Sequence, residues 1–204
     1  MVPVVSPCEF KPWPKTPRLY RKITITEKID GTNGAVIVAE DGSVAAQSRK
    51  RIITPDEDHH GFAAWVYDNA GGLADALGPG HHYGEWWGSG INRGYKWANG
   101  EKFFSLFNTR RWRPQMDKLS QVDALDIVPI LYEGPYTDWA IPATLERLRH
   151  DGSRIDYLDW DSDFEEKYPA EGICIFFDNA NQVFKVTLEN DDAKCDEKQM
   201  ESVA

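Results

Sequence analysis

The stretch Glu27-Lys28-Ile29-Asp30-Gly31-Thr32-Asn33 is the most informative part of this 204-residue chain. Before it, residues 22–26 alternate polar and apolar side chains, which is the pattern of a half-buried β-strand. We therefore expect Lys28 at the end of a strand, followed by a turn at Asp30-Gly31 and a returning apolar strand at 35–39. A lysine in this position is either a solvated surface charge or a nucleophile, and the stretch alone does not decide between them.

A nucleophilic lysine needs particular neighbours. An unperturbed lysine amine has a pKa of about 10.4 and is protonated at neutral pH, so cations, a metal or desolvation must favour its neutral form. Four later segments carry charged groups at predicted strand ends, from which a β-scaffold can direct them into one cleft. Each segment alone is more often structural than functional. The segments are Ser48-Arg49-Lys50-Arg51, Tyr83-Gly84-Glu85-Trp86-Trp87-Gly88, Glu171-Gly172-Ile173 and Phe184-Lys185-Val186-Thr187.

The composition limits the class of protein. A hydrophobic fraction of 41% in 204 residues predicts one globular domain, residues 1–204, with a sizeable core. The formal net charge of -10 disfavours non-specific polyanion binding, because phosphate neutralisation supplies most of that affinity, but a local basic track remains compatible. No apolar run reaches the length of a membrane span and no signal-peptide core is recognisable, so we expect no membrane partner.

The cysteines Cys8, Cys174 and Cys195 favour a reducing, cytoplasmic setting, since their odd number and their spacing match neither a disulfide framework nor a metal site. The histidines lack a third ligand at metal spacing and are expected in polar loops. The sequence leaves the oligomeric state open, and a monomer is compatible with it.

Local patterns predict both strands and helices. Beyond the first hairpin, the strand at 35–39 is expected to pair with 44–48, and Thr54-Pro55 is expected to begin a helix that extends towards Tyr67 and ends before Gly71-Gly72. Further strands are predicted at 103–107 and 127–132, a short amphipathic helix at 142–149, and a second hairpin from 173–177 and 183–188.

The order of the charged segments resembles a known family. Lys28-Ile29-Asp30-Gly31-Thr32-Asn33 matches the KxDGxN form of the first motif of covalent nucleotidyltransferases, the group of ATP-dependent polynucleotide ligases and mRNA capping enzymes. Arg49, Tyr83-Gly84-Glu85, Glu171-Gly172-Ile173 and Phe184-Lys185-Val186-Thr187 match the later motifs in the family's order. Asn33, together with residues 84–93 and 101–108, is similar to the phage nick-sealing RNA ligases.

This resemblance implies an α+β fold, the nucleotidyltransferase (adenylation) domain of ligases, with antiparallel sheets flanked by helices and an ATP cleft between them. It also implies an ATP-dependent RNA ligase. Lys28 would become a lysyl-AMP, and the AMP would pass to a 5′-phosphate that is then sealed to a 3′-hydroxyl. ATP, Mg²⁺ or Mn²⁺, and nicked or broken RNA ends are the implied cofactors and partners.

The resemblance assigns roles to single residues. Glu171 would hold the metal, Glu85 would accept from a ribose hydroxyl, and Phe107 would stack on adenine, although Phe103, Phe104 and Phe107 could equally be core residues. The remaining ATP-binding residues are Glu27 at the purine-reading side, Asp30 in the loop around Lys28, Asn33 at the nucleotide or RNA end, and Arg49 and Lys185 at the phosphates. The expected RNA contacts are Arg51, Arg93, Lys96 and Thr187.

Two departures from the family keep alternatives open. Thr187 stands where the fifth motif normally has a second lysine, and the sequence ends soon afterwards, so no C-terminal OB or helical domain is expected. A GTP-using capping-type guanylyltransferase is one alternative, although an arginine at position 33 would favour it more than the asparagine present. A binding module that keeps the fold without completing ligation is another. Whether the substrate is a duplex nick, a single-strand break or an RNA/DNA hybrid is left open.

Overall fold

The computed structural model describes residues 11–16, 22–93, 95, 100–155 and 168–189. These residues form strands and helices in the following order: β1 (Lys22–Lys28), β2 (Thr32–Val38), β3 (Val44–Ser48), β4 (Ile52–Ile53), α1 (Phe62–Asp68), α2 (Ala70–Leu77), β5 (Gly80–Gly88), β6 (Lys102–Leu106), α3 (Thr109–Trp112), α4 (Met116–Leu119), β7 (Leu125–Ile127), β8 (Ile130–Pro135), α5 (Ala140–Asp151), β9 (Gly172–Phe177) and β10 (Gln182–Thr187). Short 3-10 helices lie at Pro55–Glu57 and Arg113–Gln115.

Two β-sheets organise the described part of the chain. The small sheet has the strand order β10-β9-β1-β8, and the large sheet has the order β4-β3-β2-β5-β6-β7. Neighbouring strands are antiparallel, except that β6 and β7 are parallel. The predicted mixture of antiparallel sheets and flanking helices is therefore present.

Each sheet packs one face against helices. On the large sheet, Val36 and Phe104 pack with Phe62 and Val66 of α1 and Leu73 of α2. On the small sheet, the alternating residues of β1 and β9 pack with α5, in a cluster that includes Ile23, Ile25, Ile173, Ile175 and Leu148. Full burial of such a side chain contributes roughly 1.5 to 3 kcal/mol, so these two clusters fix which face of each sheet is left for a site.

A third cluster joins the two sheets. Ile29 follows the end of β1, Trp87 belongs to β5 of the large sheet, and Val128 lies between β7 and β8. These side chains pack with Tyr95 and Ile155 and are almost fully buried. The segment around Lys28 is therefore held where the sheets meet.

The predicted hairpin between β1 and the strand at 35–39 is wrong. β1 belongs to the small sheet and β2 to the large one, so the turn at Asp30-Gly31 carries the chain across instead of returning it. A Cβ on Gly31 would lie 2.5 Å from the carbonyl oxygen of Trp86 and 2.8 Å from Cβ of Trp87. The absence of a side chain at Gly31 permits this close approach to β5. The predicted strand at 127–132 likewise divides into β7 and β8, one in each sheet.

The helix predicted from Thr54 to Tyr67 is interrupted. A 3-10 turn covers Pro55–Glu57, and α1 begins only after Gly61, whose φ is +82°. The carboxylate of Asp58, rather than Thr54, accepts hydrogen bonds from the backbone N–H groups of Ala63 (2.7 Å) and Ala64 (3.0 Å).

Gly71 and Gly72 lie inside α2, although they were expected to end a helix. A helical glycine costs about 1 kcal/mol relative to alanine, but burial of Leu73 and Leu77 outweighs that cost. Three histidines are also not loop residues: His81 and His82 lie in β5, where His82 is buried, and His150 lies in α5.

The other local predictions are confirmed. β2 and β3 form a hairpin, as do β9 and β10, and β6 and α5 lie at the predicted positions. Within the described residues, no helix is long and apolar enough to cross a membrane.

Candidate active site

Lys28 is the last residue of β1 and lies opposite Gly172 of β9. Its Nζ forms an ion pair with Oε1 of Glu171, the residue immediately before β9. The second carboxylate oxygen, Oε2 of Glu171, is buried and has no hydrogen-bond partner in the structure. The Lys28 amine thus lies beside a carboxylate oxygen that is able to bind a metal ion or accept a hydrogen bond.

The free face of the small sheet places further polar groups beside Lys28. Thr26, Cys174 and Lys185 lie side by side on β1, β9 and β10. Because side chains alternate along a strand, they share the face of the sheet that carries Lys28, and Ile25 lies on the other face. Burial raises the pKa of the Cys174 thiol, and Lys28, Glu171, Glu85 and Lys185 all act on it electrostatically. This thiol therefore lies near four of the charged residues that the motifs predicted at the site.

The large sheet contributes Asn33 and Glu85, which are paired in register on β2 and β5. The Asn33 Nδ2 donates a hydrogen bond to Glu85 Oε2 at 2.8 Å. Gly34 pairs with Ser48, and the exposed Arg49 lies in the turn that follows, where the backbone N–H of Ser48 donates to the carbonyl of Arg51 at 2.8 Å. The structure therefore pairs Asn33 with Glu85 at one end of the sheet and places Arg49 in the turn between β3 and β4, where, within the described part of the chain, it forms no hydrogen bond or ion pair with either side chain.

Burial raises the pKa of the Glu85 carboxyl to about 7, while the charge of Lys28 and the backbone N–H of Gly31 act in the opposite direction. The charge of Glu171 acts in the same direction as burial. Glu85 of the large sheet is thus electrostatically coupled to Lys28 and Glu171 of the small sheet. A Cβ on Gly31, in the turn after Lys28, would lie 2.9 Å from Cγ of Glu85, so the two walls meet in one cleft.

Phe107 follows β6 and is 42% exposed, whereas Phe104 is fully buried in the core. The backbone N–H of Phe107 donates to the carbonyl of Tyr83 at 3.0 Å. Because side chains alternate along paired strands, Tyr83 and Phe107 lie on the same face of the sheet as Glu85. Tyr83 is 56% exposed. The core alternative therefore holds for Phe104, while Phe107 presents an uncovered ring next to Glu85.

Glu27 does not face the cleft. It is 1% exposed, and its carboxylate accepts hydrogen bonds from Ser153 Oγ and from the backbone N–H of Arg154 at 2.7 Å. Successive residues of a strand point to opposite faces, so Glu27 and Lys28 cannot both line the same wall. The structure thus corrects the expected position of the Glu27 carboxylate at the purine-reading side: it anchors the segment after α5.

The turn that contains Asp30 is held by residues that the sequence did not single out as its partners. Asn92 and Tyr95 both contact this turn, and so does Arg93, which was expected at RNA. A single sequence carries no signal for such contacts, because the two segments are more than sixty residues apart and the loop after β5 has no periodic pattern.

The expected RNA contacts are dispersed. Arg51 forms a surface ion pair with Glu57 at 2.7 Å, and Arg93 is bonded to Asp30 at 3.0 Å. The Thr187 hydroxyl donates to the backbone carbonyl of Glu189 at 3.0 Å instead of standing free in place of the missing lysine. Lys96 lies outside the described residues.

The donor set fits a metal that binds mainly through substrate phosphates. Among the described residues, no group of three or more His, Cys, Asp or Glu side chains could form a complete metal cage. Mg²⁺ commonly binds through one or two carboxylates and completes its shell with phosphates and water. The buried Oε2 of Glu171 is suited to be such a single protein ligand.

Comparison with known families agrees with this arrangement. The family model described as RNA ligase matches residues 21–187. The chain belongs to the RNA ligase family. The match covers both walls of the cleft, from β1 to β10.

Solved structures show a similar fold. A mutant RNA ligase of Naegleria gruberi with ATP and Mn matches with a TM-score of 0.56 and 17% identity, over 83% of this chain and 50% of that chain. An apo mutant of the same ligase gives a TM-score of 0.57 and 18% identity, over 82% and 49%. The chain thus spans about half the length of these structures, and the likeness confirms the predicted fold class. A search of curated proteins gives no match.

Proposed function

We propose that this chain is an ATP-dependent RNA ligase in which Lys28 accepts AMP from ATP. The observation that carries the proposal is the meeting of the Lys28 amine, its partner Glu171 and the Glu85–Asn33 pair in one cleft. Membership of the RNA ligase family supports it. The matched Naegleria gruberi structures with ATP and Mn, or with AMP and Mn, support ATP and a divalent metal as cofactors.

In the proposed first step, the Lys28 ammonium loses a proton and the Nζ lone pair attacks the α-phosphorus of ATP. The Nζ–P bond forms while the bond from phosphorus to the bridging β-phosphate oxygen breaks. Pyrophosphate leaves with that electron pair, and a second proton leaves Nζ to give the neutral phosphoramidate. Such in-line transfer depends on positioning and charge neutralisation more than on further covalent chemistry.

Two further transfers complete the proposed reaction. An oxygen of a 5′-phosphate on RNA attacks the phosphorus of lysyl-AMP, and the Nζ–P bond breaks as Lys28 regains its proton. The 3′-hydroxyl of the neighbouring end then attacks the activated 5′-phosphorus, loses its proton and expels AMP. We place this activity in a cytoplasmic setting, and we keep Arg51 and Thr187 as candidate contacts to the RNA.

The cleft residues would divide the binding of ATP between them. Phe107 would stack on adenine, Glu85 and Asn33 would bind the ribose side, and Arg49 and Lys185 would neutralise phosphate charge. Glu171 would hold Mg²⁺ or Mn²⁺ through Oε2, and the metal would add positive charge at the phosphates. Asp30 would fix the loop around Lys28.

The test is transfer of label from ATP that carries ³²P in its α-phosphate, in the presence of Mg²⁺ and without RNA. Wild-type protein is expected to retain label through denaturing electrophoresis, and mild acid should release it, because P–N bonds are acid-labile. Lys28→Ala should retain none. Lys22→Ala is a matched control, since Lys22 lies on the same strand and face and also pairs with a glutamate, Glu133. Label on Lys28→Ala, or none on wild type, would overturn the proposal.

The same assay separates the alternatives. Preferential labelling from GTP would identify a guanylyltransferase, and ATP binding without pyrophosphate release would identify a binding module. The bond from Thr187 to Glu189 is the observation that favours the binding module, since it leaves Lys185 without a second phosphate-binding side chain at that position. Sealing of a nicked duplex with RNA or DNA on either side of the nick would then define the substrate.

A further inference from the structure

The loop after β5 holds the turn that follows the nucleophile. Arg93 Nε donates to Asp30 Oδ2 at 3.0 Å, and the backbone N–H of Asp30 donates to the hydroxyl of Tyr95 at 2.9 Å. Asn92 Nδ2 donates to the carbonyl oxygen of Gly31. The loop thus makes hydrogen bonds to the carboxylate and the backbone N–H of Asp30 and to the carbonyl of Gly31, the two residues of the turn.

The loop is itself fixed by burial. Tyr95 is fully buried, with its ring in an edge-to-face contact with Trp87 at 5.2 Å and a tilted contact with Tyr168 at 5.1 Å. Its φ is +27° and that of Asn92 is +45°, values that residues with side chains seldom adopt. Such a backbone persists only where the surroundings determine it, and it often marks a functional constraint.

Arg93 also connects the other segments of the site. Its backbone carbonyl accepts a hydrogen bond from the hydroxyl of Tyr168 at 2.6 Å, three residues before Glu171. Its guanidinium lies 3.8 Å from the carboxylate of Glu189, two residues after Thr187. The side chain is 25% exposed. Arg93 therefore contacts the segments that carry Lys28, Glu171 and Lys185.

We propose that Arg93 is a positioning residue for adenylate transfer, holding Asp30 so that the Lys28 amine meets the α-phosphorus in line. The inference rests on the proposed function and replaces the expectation that Arg93 contacts RNA. Lys28 ends its strand, and the chain then crosses to the other sheet, so the strand pairing of β1 does not restrain the turn itself. A displacement of about 1 Å at a reacting atom can slow a reaction about 100-fold.

The discriminating measurement is the rate of lysyl-AMP formation without RNA, as a function of ATP concentration. Arg93→Ala is expected to lower the rate at saturating ATP about 100-fold, with a much smaller change in the KM for ATP. Arg93→Lys, which keeps a charged donor, should recover part of that loss. Arg147→Ala is the matched control, because it removes a similar Nε–carboxylate pair, Arg147 to Asp151 at 3.3 Å, on the surface of α5.

A double-mutant cycle tests whether Arg93 acts through Asp30. Since the two side chains form one unit, Arg93→Ala combined with Asp30→Asn should be about as slow as the slower single variant. Additive losses would indicate a direct contact of Arg93 with ATP and would overturn the inference. Normal lysyl-AMP formation with loss of RNA sealing alone would identify an RNA contact and would also overturn it.

Two controls keep the outcomes distinct. If Arg93→Ala does not fold, Arg93→Lys and Tyr95→Phe carry the test, and a wild-type rate in both would contradict the inference. Thermal unfolding of every variant is measured alongside. Failure of wild type to take label would reject the proposed function itself, whereas labelled wild type together with fully active Arg93→Ala would reject only the positioning role.

Discussion

At the scale of single residues, Glu85 is a carboxyl group removed from water. It is 8% exposed, and burial raises its pKa to about 7, even though Lys28 is close enough to oppose the shift. A folded-state pKa above the ordinary value of 4.5 means that the folded protein binds more protons than the unfolded chain in this range. The stability from this group is therefore complete below about pH 4.5 and is lost as the pH rises through about 7.

The first prediction follows from that sign. Glu85→Gln removes the titration, so the variant should gain stability relative to wild type between pH 5 and pH 8, by about 2 to 3 kcal/mol. Urea unfolding at the two pH values measures this difference. Glu146→Gln, at an exposed site on α5, is the control, and its free energy of unfolding relative to wild type should be the same at pH 5 and at pH 8. An equal difference between wild type and Glu85→Gln at both pH values would contradict the prediction.

The candidate site shows where reasoning from single residues succeeds and where it stops. The meeting of Lys28, Glu85, Glu171 and Lys185 could be predicted because their motifs follow one another in a family's order, while the role of each residue stays a prediction. Glu27 was misplaced, because the sequence does not show which face of β1 the other sheet meets. Tyr95 was missed, because its contact with Asp30 joins positions that no local pattern relates.

At the scale of elements, β9 and β10 approach each other so closely at Gly172 that a side chain has no room. A Cβ there would lie 2.2 Å from the carbonyl oxygen of Val186 and 2.7 Å from Cα of Thr187. Both contacts are with backbone, which cannot rotate aside. The strand that carries Lys185 must move if this glycine is replaced.

The second prediction compares two glycine-to-alanine changes. Gly172→Ala should lower the free energy of unfolding by about 1 to 3 kcal/mol and slow lysyl-AMP formation, because it separates Lys185 from the cleft. Gly71→Ala, in α2, has nothing within 4 Å of the added Cβ and should raise stability by about 0.5 to 1 kcal/mol without affecting the reaction. Urea unfolding and the labelling assay measure both. Equal effects of the two changes would refute this account.

Element types were predicted better than their partners. Alternation of apolar residues found β1, and a glycine-containing turn found the β2–β3 hairpin, because both signals are local. The same reasoning placed β1 and the following strand in one hairpin, although β1 pairs with β8 and β9. Asp30-Gly31 looks like a hairpin turn, and only packing against Trp86 and Trp87 shows that it is a crossing between sheets.

At the scale of the whole molecule, the cluster of Ile29, Trp87, Tyr95, Val128 and Ile155 connects the two walls of the cleft. It contains the residue after Lys28 and a residue two positions after Glu85, so its packing sets the distance between the Lys28 amine and the Glu85 carboxyl group. Val128 is 3% exposed. A cavity in this cluster should affect the geometry of the cleft as well as its stability.

The third prediction uses a matched pair of cavities. Val128→Ala and Val66→Ala should each lower the free energy of unfolding by about 1 to 3 kcal/mol, since both valines are buried. Only Val128→Ala should also slow lysyl-AMP formation at temperatures where both variants remain folded, because Val66 packs between α1 and the far face of the large sheet. Equal rates in the two variants would show that the connecting cluster does not control the cleft.

The order of strands in the small sheet also affects how the protein is made. β1 ends at Lys28, but its partners begin only at Ile130 and Gly172, whereas the strands of the large sheet are complete by Ile127. A chain that emerges from the ribosome N-terminus first can assemble the large sheet while β1 still waits for both neighbours. Lys28 is therefore synthesised early, and its cleft can be complete only after Glu171 and Lys185 have been added to the chain.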